Sequence, residues 1–543
     1  MSQEENKQQA QMRRGTLWLT VGNFASRLLG AIYIIPWYTW MGAQAPQANA
    51  LFSKGYNIYA MFLLISTVGL NVAVAKQISK YNSMEKPEMS YKLIRSFLVL
   101  MLLLGLGFAL TMFVGAPIFA GLSGGGKGLI PVMHSLSWAV LVFPAMSVMR
   151  GIFQGFNDMK PYALSQVAEQ IVRVIWMLLT TFFIMKLGSG NYVEAVIQST
   201  FAAFIGMIAS VGILVYYLIK AGIMPHILQV PETDETIDTK TILVETFKEA
   251  IPFIITGSAI QIFQLIDQFT FINSMKIFTN HSQDELDILY AYFTANPNKV
   301  IMILIAVATA IGGVGIPLLT ENFVKKNTKA SAKLIVDSLT MLLVFLLPAV
   351  SGATLLSKSL YTVFYDLPDQ DAIGLFILSM MSTLVLGLYT VLSPMIQALF
   401  ENRNAVKYFL YGVVVKLVLQ IPFIFLFHAY GPLISTLIGL LVPIVLMFKR
   451  LVDITDLDVQ LLAGRTLMIC AQTLIMILLV GIIEVILKAV YPVTGRIPAV
   501  MHLLVSGALG GGTYAMMSLM SHSIDFIIGK PKAQTLRRKF KLE

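Results

Sequence analysis

Residues 17–41 read LWLTVGNFASRLLGAIYIIPWYTWM. A single charge, Arg27, interrupts the run, with Trp18 near one end and Trp37 and Trp40 near the other, as in an aromatic belt. About 20 apolar residues carry a helix across the hydrocarbon core of a bilayer. The run is too long and too uniformly apolar for a barrel strand, which alternates over about ten residues. Runs of the same kind recur at 51–75, 96–120, 130–153, 162–185, 195–219, 250–275, 297–320, 334–357, 372–398, 405–428, 431–448, 466–487 and 498–520. The chain of 543 residues is 57% hydrophobic and 13% charged, against about 25% charged in a soluble domain. The fold class is therefore an all-α polytopic membrane protein with fourteen transmembrane helices and almost no soluble mass. The first run is longer than the apolar core of a signal peptide and lacks a small-residue cleavage site, so it reads as a retained helix.

With fourteen spans, both ends share one side. Placing them inside leaves only Lys127, Lys186, Lys276, Lys358, Lys488 and Arg496 in outside loops, out of 39 lysines and arginines. Five more lie within spans and the rest fall inside, which is the bias that orients membrane proteins. Both termini are expected in the cytoplasm. The net charge of +10 follows from this rule and from the anionic inner leaflet; no nucleic acid is implied.

The chain matches itself weakly at a shift of about 245 residues. Gln154, Lys160 and Arg173 fall on Gln397, Arg403 and Lys416, and Val68-Gly69 and Lys80 fall on Val314-Gly315 and Lys326. The two halves keep the same orientation because six spans separate them. The expected organisation is a six-helix bundle over 1–219, a cytoplasmic linker at 220–249 containing PETDETIDTK, and a second six-helix bundle over 250–448. Residues 449–543 add two extra helices and a basic tail. Parallel halves with a site between them are a transporter architecture.

Several motifs are excluded. Gly121–Gly128, GLSGGGKG, mimics a phosphate loop, but Gly128 replaces the Ser or Thr, no strand precedes it, and it lies outside. Energy must then come from an ion gradient, the membrane potential or the substrate's own gradient. The six histidines have no metal-ligand spacing, and Asp366, Asp369 and Asp371 read as a solvated loop. The lone Cys470 reads as a small buried apolar residue. Neither metal nor organic cofactor is expected.

The charges left inside spans carry the functional signal. Arg27, Lys54, Arg173, Lys299 and Lys416 are basic; Glu169, Asp267 and Glu484 are acidic. A charge at mid-bilayer costs about 2.5–3.5 kcal/mol even on insertion scales, so such residues usually face protein or a watery cavity. The basic excess points to a negative substrate. Two readings stand for most of them. Arg173 lies four residues after Glu169 and either serves substrate or is neutralised by that charge partner on its own helix face. Lys54 and Lys299, near span ends, either serve substrate or snorkel to the interface. Asp267 is the candidate for Na⁺ or proton coupling, or else a structural ion partner. Glu484 carries no assigned role.

Ser26-Arg27-Leu28-Leu29-Gly30 in helix 1, VGLNVAVAKQISKY closing helix 2, and the six-plus-six-plus-two arrangement resemble the multidrug/oligosaccharidyl-lipid/polysaccharide exporter superfamily. TLWLTVGNFASRLLGAIYIIPWYTWMG and LFSKGYNIYAMFLLISTVGLNVAVAKQISKY are similar to its YtgP/stage V sporulation protein B branch, whose members include lipid II flippases. The resemblance implies a MATE-like, V-shaped pair of bundles around a basic cavity that opens alternately to either side. The last two helices would form a groove for a lipid tail. Arg27 matches the helix-1 arginine that faces the cavity. Six and seven residues later the flippases carry an Arg-Asp pair, where this chain has Tyr33 and Ile34.

The expected function is therefore a transporter, not an enzyme. It would flip an anionic, undecaprenyl-diphosphate-linked peptidoglycan precursor (lipid II) from the inner to the outer leaflet of a bacterial plasma membrane, as a monomer and without ATP. The substrate-binding cations would be Arg27, Lys54, Arg173, Lys299 and Lys416. A flippase for a capsule or teichoic-type lipid-linked oligosaccharide stays open. A cation-coupled multidrug antiporter is disfavoured because it should bury more acids than bases.

Overall fold

The computed structural model describes residues 32–525 apart from 68–69, 85–86, 127, 157, 229–250 and 253, together with Ser26, Leu29, Gly30, 529–540 and Leu542. Every described element is helical. Two compact units divide the chain, Met1–Phe269 and Thr270–Glu543. Most of the expected linker lies outside the described residues.

The first unit contains α1 (Ile34–Met41), α2 (Ala45–Thr67), α3 (Leu70–Ser83), α4 (Pro87–Leu122), α5 (Leu129–Gly155), α6 (Met159–Phe182), α7 (Tyr192–Lys220), α8 (Ile223–Leu228) and the first half of α9 (Ala259–Phe278). The second continues from α9 through α10 (Gln283–Tyr290), α11 (Asn296–Val324), α12 (Thr328–Leu355), α13 (Ser357–Phe364), α14 (Gln370–Ala398), α15 (Asn402–Phe427), α16 (Gly431–Thr455), α17 (Val459–Val490), α18 (Arg496–Met520) and α19 (Lys530–Lys539).

Each of the thirteen spans expected after the first coincides with helix where it is described, apart from turns at Ser258 and Leu356. The helices overrun the apolar runs: α4 has 36 residues and α17 has 32. Hydropathy senses the hydrocarbon slab, whereas the backbone keeps its hydrogen bonds into the polar zone until a cap ends them. Asp158, Asn191, Asp369 and Asp458 supply such caps at the starts of α6, α7, α14 and α17, each accepting a backbone N–H at 2.7–3.3 Å. Asp369 is thus committed to a helix start. Ten helical stretches among the described residues are apolar and long enough to cross a membrane, and one of them, Asn402–Thr455, takes in both α15 and α16. Their outer faces are unpaired apolar surface. On α4 alone Leu103, Leu106, Leu110 and Val114 are exposed, as lipid contact requires. Cys470 is exposed as well, so the buried reading was wrong; it sits on α17, whose neighbours Leu467, Met468 and Leu474 also face outward.

Without a hydrophobic force between helices in lipid, close approach depends on small residues and interhelical hydrogen bonds. In the first unit, a Cβ on Gly206 of α7 would lie 2.6 Å from the Glu169 carbonyl of α6. Buried hydroxyls tie the same unit together: the Trp37 indole donates to Ser199 (2.9 Å), Ser199 meets Thr181 (3.1 Å), and Ser135 meets Thr200 (2.6 Å). In the second unit, Gly412 of α15 packs so tightly on α16 that a Cβ would overlap the Gly439 carbonyl and lie 2.8 Å from Pro443 Cδ. Gly412→Val is therefore expected to destabilise the protein by about 1–3 kcal/mol through overpacking. A lowered thermal midpoint in detergent is the check; an unchanged one would mean that the two helices can move apart freely.

Helices α17 and α18 dock on α12. Ile469, Met476, Val480 and Tyr514 form a core with Val344 and Leu356. The Tyr514 hydroxyl donates to the Val344 carbonyl at 2.9 Å, and Arg465 reaches Asp337 at 2.7 Å.

Candidate functional site

In the first unit the polar side chains of the spans gather on α2, α5, α6 and α9. Arg150, near the end of α5, is buried at 8% exposure. Its guanidinium donates to Glu169 Oε2 (2.7 Å), Ser165 Oγ (3.1 Å) and Ser210 Oγ (3.0 Å) and lies 5.6 Å from the centre of the Tyr162 ring. Glu169 is thus paired across the α5–α6 hairpin, and among the described residues no ion pair joins it to Arg173. The alternative of a Glu169–Arg173 pair along α6 is corrected here: the carboxylate is taken by Arg150 of α5, whose guanidinium Ser210 of α7 also accepts from.

Arg173 is placed differently. Its guanidinium lies 5.3 Å from the centre of the Tyr56 ring, a cation–π distance, and Tyr33 and Tyr59 lie within electrostatic range. Tyr33 stands where the resemblance implies an arginine. Here a buried phenol (7% exposed) joins the surroundings of a cation supplied from α6. Ser26 donates to the Gln166 carbonyl at 3.5 Å, and Gly30 lies against Gln170, so residues of the first span meet this same face of α6. Arg27 itself lies outside the described residues.

Lys54 on α2 is 1% exposed and does not snorkel. The reason is its depth: α2 begins at Ala45, well ahead of the apolar run, so Lys54 sits more than two turns inside the helix. The glycine-rich 121–128 segment closes over it; a Cβ on Gly125 would be 3.5 Å from Lys54 Cδ, and the flanking Gly124 and Gly126 adopt positive φ. The positive φ accounts for glycine at 124 and 126. Asp267 on α9 is 6% exposed. Its neighbour Gln268, fully buried, accepts from Asn57 (3.1 Å) and donates to the Lys54 carbonyl (3.0 Å) and to Ser123 (2.9 Å). The α9 turn carrying Asp267 is thereby pinned to the α2 turn carrying Lys54.

In the second unit Lys299 is half-buried near the start of α11. Lys416 is fully buried, and its ammonium is taken up between α15 and α16 by Thr436 Oγ1 (2.6 Å), Gln420 Oε1 (3.1 Å), Ser435 Oγ (3.3 Å) and the Pro432 carbonyl (3.4 Å). Arg173 and Lys416, which the weak self-match of the sequence aligns, thus occupy unlike settings, one against an aromatic ring and the other in a nest of oxygens.

Beside α12 lies an apolar cavity of about 590 Å³, walled by α11, α13, α17 and α18 with residues such as Ile303, Phe345, Pro348, Leu360, Val480 and Leu503. Ser506, Ser518 and the Tyr514 ring are its few polar contributors. A hydrocarbon chain matches such a lining; a charged group does not.

Known proteins resemble this chain in both sequence and fold. Residues 12–323 match the family model described as polysaccharide biosynthesis protein. Over 539 residues the chain is 34% identical to "Lipid II flippase MurJ" of Bacillus subtilis (strain 168), covering 96% of this chain and 97% of that one. The fold superposes on a structure titled "Lipid II flippase MurJ, inward closed conformation" with a TM-score of 0.65 and 14% identity, over 93% of this chain and 99% of that one. An inward-facing multidrug resistance MATE family transporter of the MOP superfamily matches with a TM-score of 0.60 and 16% identity, over 79% of this chain and 96% of that one.

Proposed function

This chain belongs to the polysaccharide biosynthesis protein family, and from that premise we propose that it is a lipid II flippase, moving the undecaprenyl-diphosphate-linked precursor from the inner to the outer leaflet by alternating access and without ATP. The observation that carries this reading is the 34% identity to the Bacillus subtilis flippase over nearly the full length of both chains. The protein is a multi-pass protein of the bacterial inner membrane and a transporter rather than an enzyme.

The physical problem in such a reaction is the diphosphate, because the prenyl tail can stay in hydrocarbon throughout. Cations inside the protein replace the water that the phosphates lose, through charge-assisted hydrogen bonds. Arg27 and Arg173 are assigned this role first: residues flanking Arg27 meet the α6 face that carries Arg173, and the Arg173 guanidinium is held by ring contact. Lys54, Lys299 and Lys416 supply further positive charge, Lys54 and Lys416 in conformations other than the one described, where both are enclosed. The apolar cavity by α17 and α18 takes the tail. Asp267 is the candidate for coupling to Na⁺, protons or the membrane potential. Both termini are assigned to the cytoplasm, and the working unit to a monomer.

Depletion of the protein in its native cell tests the substrate. Undecaprenyl-linked peptidoglycan precursor is expected to accumulate, inaccessible from the outer leaflet. Accumulation of a capsule or teichoic-type lipid-linked glycan instead would reassign the substrate within the same transport chemistry.

A further inference from the structure

Glu484 on α17 and His502 on α18 are 3% and 0% exposed. Each lies six residues from its helix end, about 9 Å at 1.5 Å per residue, on either side of the turn that joins the two helices. Glu484 Oε2 is 3.0 Å from His502 Nδ1, and Ser506 donates to Oε1 at 2.6 Å. The other ring nitrogen, Nε2, is 2.8 Å from the Tyr491 carbonyl.

The proton count follows from these contacts. A carbonyl only accepts, so Nε2 must carry a hydrogen. An ionised carboxylate also only accepts, so the contact at Nδ1 needs a second hydrogen, borne either by the ring or by the carboxyl group. Both arrangements hold the same number of protons. Without that second hydrogen the ring can serve the carboxylate or the carbonyl, and the other contact sets two lone pairs face to face, in a buried site at Glu484 and a part-buried one at Tyr491.

We infer that the α17–α18 hairpin is closed by a bound proton: Glu484 and His502 form a one-proton clasp whose deprotonation releases the turn at Tyr491. The charged surroundings are few. Lys488 on α17, half exposed, places Nζ 4.0 Å from Glu484 Oε2 and favours the carboxylate–imidazolium arrangement of the same proton. Arg496 on α18 is turned to the Tyr365 carbonyl (2.6 Å). Helix α13, packed on α18, brings Lys358 and Tyr361, the latter accepting from Asn296 (2.6 Å). Helix α12 has no titratable side chain from Leu339 to Leu355, and α19 meets α18 at its far end, where Arg537 holds Asp525 and the Leu519 carbonyl. Ser506 also lines the apolar cavity, so the clasp adjoins its wall. The inference rests on donor–acceptor geometry and stands whatever occupies that cavity.

The test uses the full chain in nanodiscs, with Cys470→Ser and spin labels at the exposed positions Val485 and Met501. The wild-type clasp should give one narrow distance while the proton is bound and lose that population when alkali removes it. Glu484→Gln presents an amide N–H to Nδ1 and an amide oxygen to Ser506, imitating the protonated carboxyl; it should stay narrow at every pH, whereas Glu484→Ala should be broad throughout. A Glu484→Gln protein that follows the wild-type pH response, or that is as broad as Glu484→Ala, overturns the proposal. So does a ¹⁵N-histidine spectrum of the unlabelled wild-type chain in which the His502 ring carries hydrogen at Nδ1 only while the hairpin is closed.

Discussion

Arg150→Met is expected to lower the stability of the protein by about 3–5 kcal/mol, the cost of leaving a buried ion without its partner. The Arg150 and Glu169 side chains are 10% and 14% exposed and meet at 2.7 Å. Ser165 and Ser210 also accept from the guanidinium; its removal takes that donor from Glu169 and Ser210, whereas Ser165 keeps its bond to the Tyr162 carbonyl at 2.8 Å. The diagnostic partner is the double variant Arg150→Met with Glu169→Leu. Replacing a whole buried ion pair by apolar residues is often close to neutral, so most of the lost stability should return. Denaturant or thermal melts of the four proteins in one detergent give the cycle. An unchanged Arg150→Met midpoint would mean that water reaches Glu169 and that the pair is ornamental.

That pair also shows what the sequence could reveal and what it could not. The spans and the all-helical class were legible, because a bilayer imposes length and composition on every helix that crosses it. Partners were harder to read. Scanning along a helix offers only residues three or four apart, and it joined Glu169 to Arg173. The true partner came from the preceding helix, across a turn centred near residue 157. Two antiparallel helices joined by a short turn set residues at equal distances from that turn side by side; this brings Arg150 near Ser165, and Glu169 follows four residues later on the same face of α6. Glu484 and His502 are equidistant from residue 493, so the same construction would have found the clasp that hydropathy left without a role. The snorkelling alternative for Lys54 fails for another reason. A snorkelling lysine needs to lie within reach of the helix end, and the apolar run starting at 51 placed it there; the helix itself starts at Ala45. No comparable rule foretells that Arg173 faces a tyrosine whereas its repeat mate Lys416 is enclosed by oxygens. Those settings depend on how each helix is rotated against its neighbours, and the packing of Gly206 and Gly412 helps to fix that rotation.

Because the two repeat mates are set so differently, their substitution should separate transport from stability. Arg173→Ala removes a cation held at 5.3 Å from the Tyr56 ring, a contact worth only about 0.5–2 kcal/mol to the fold. If its larger task is to hold a diphosphate, the loss of charge-assisted hydrogen bonds worth about 1.5–3 kcal/mol should cut transport about 10- to 150-fold, while the melting midpoint moves little. Arg173→Lys keeps the charge but forfeits the planar fork that can grip phosphate through two bonds, so it should fall between alanine and wild type. Lys416→Met should behave in the opposite way. Its ammonium is enclosed by Thr436, Gln420, Ser435 and Pro432, and removing it takes a charged donor from each of those oxygens, so the midpoint should drop. The measurement is the fraction of lipid II accessible at the outer leaflet in cells whose own copy has been depleted, with expression and melts recorded for each variant. Full transport by Arg173→Ala would take that residue out of the substrate path and leave it as packing against Tyr56. A transport defect in Lys416→Met at an unchanged midpoint would instead show that α15 and α16 open during the cycle and bring the buried ammonium to the substrate.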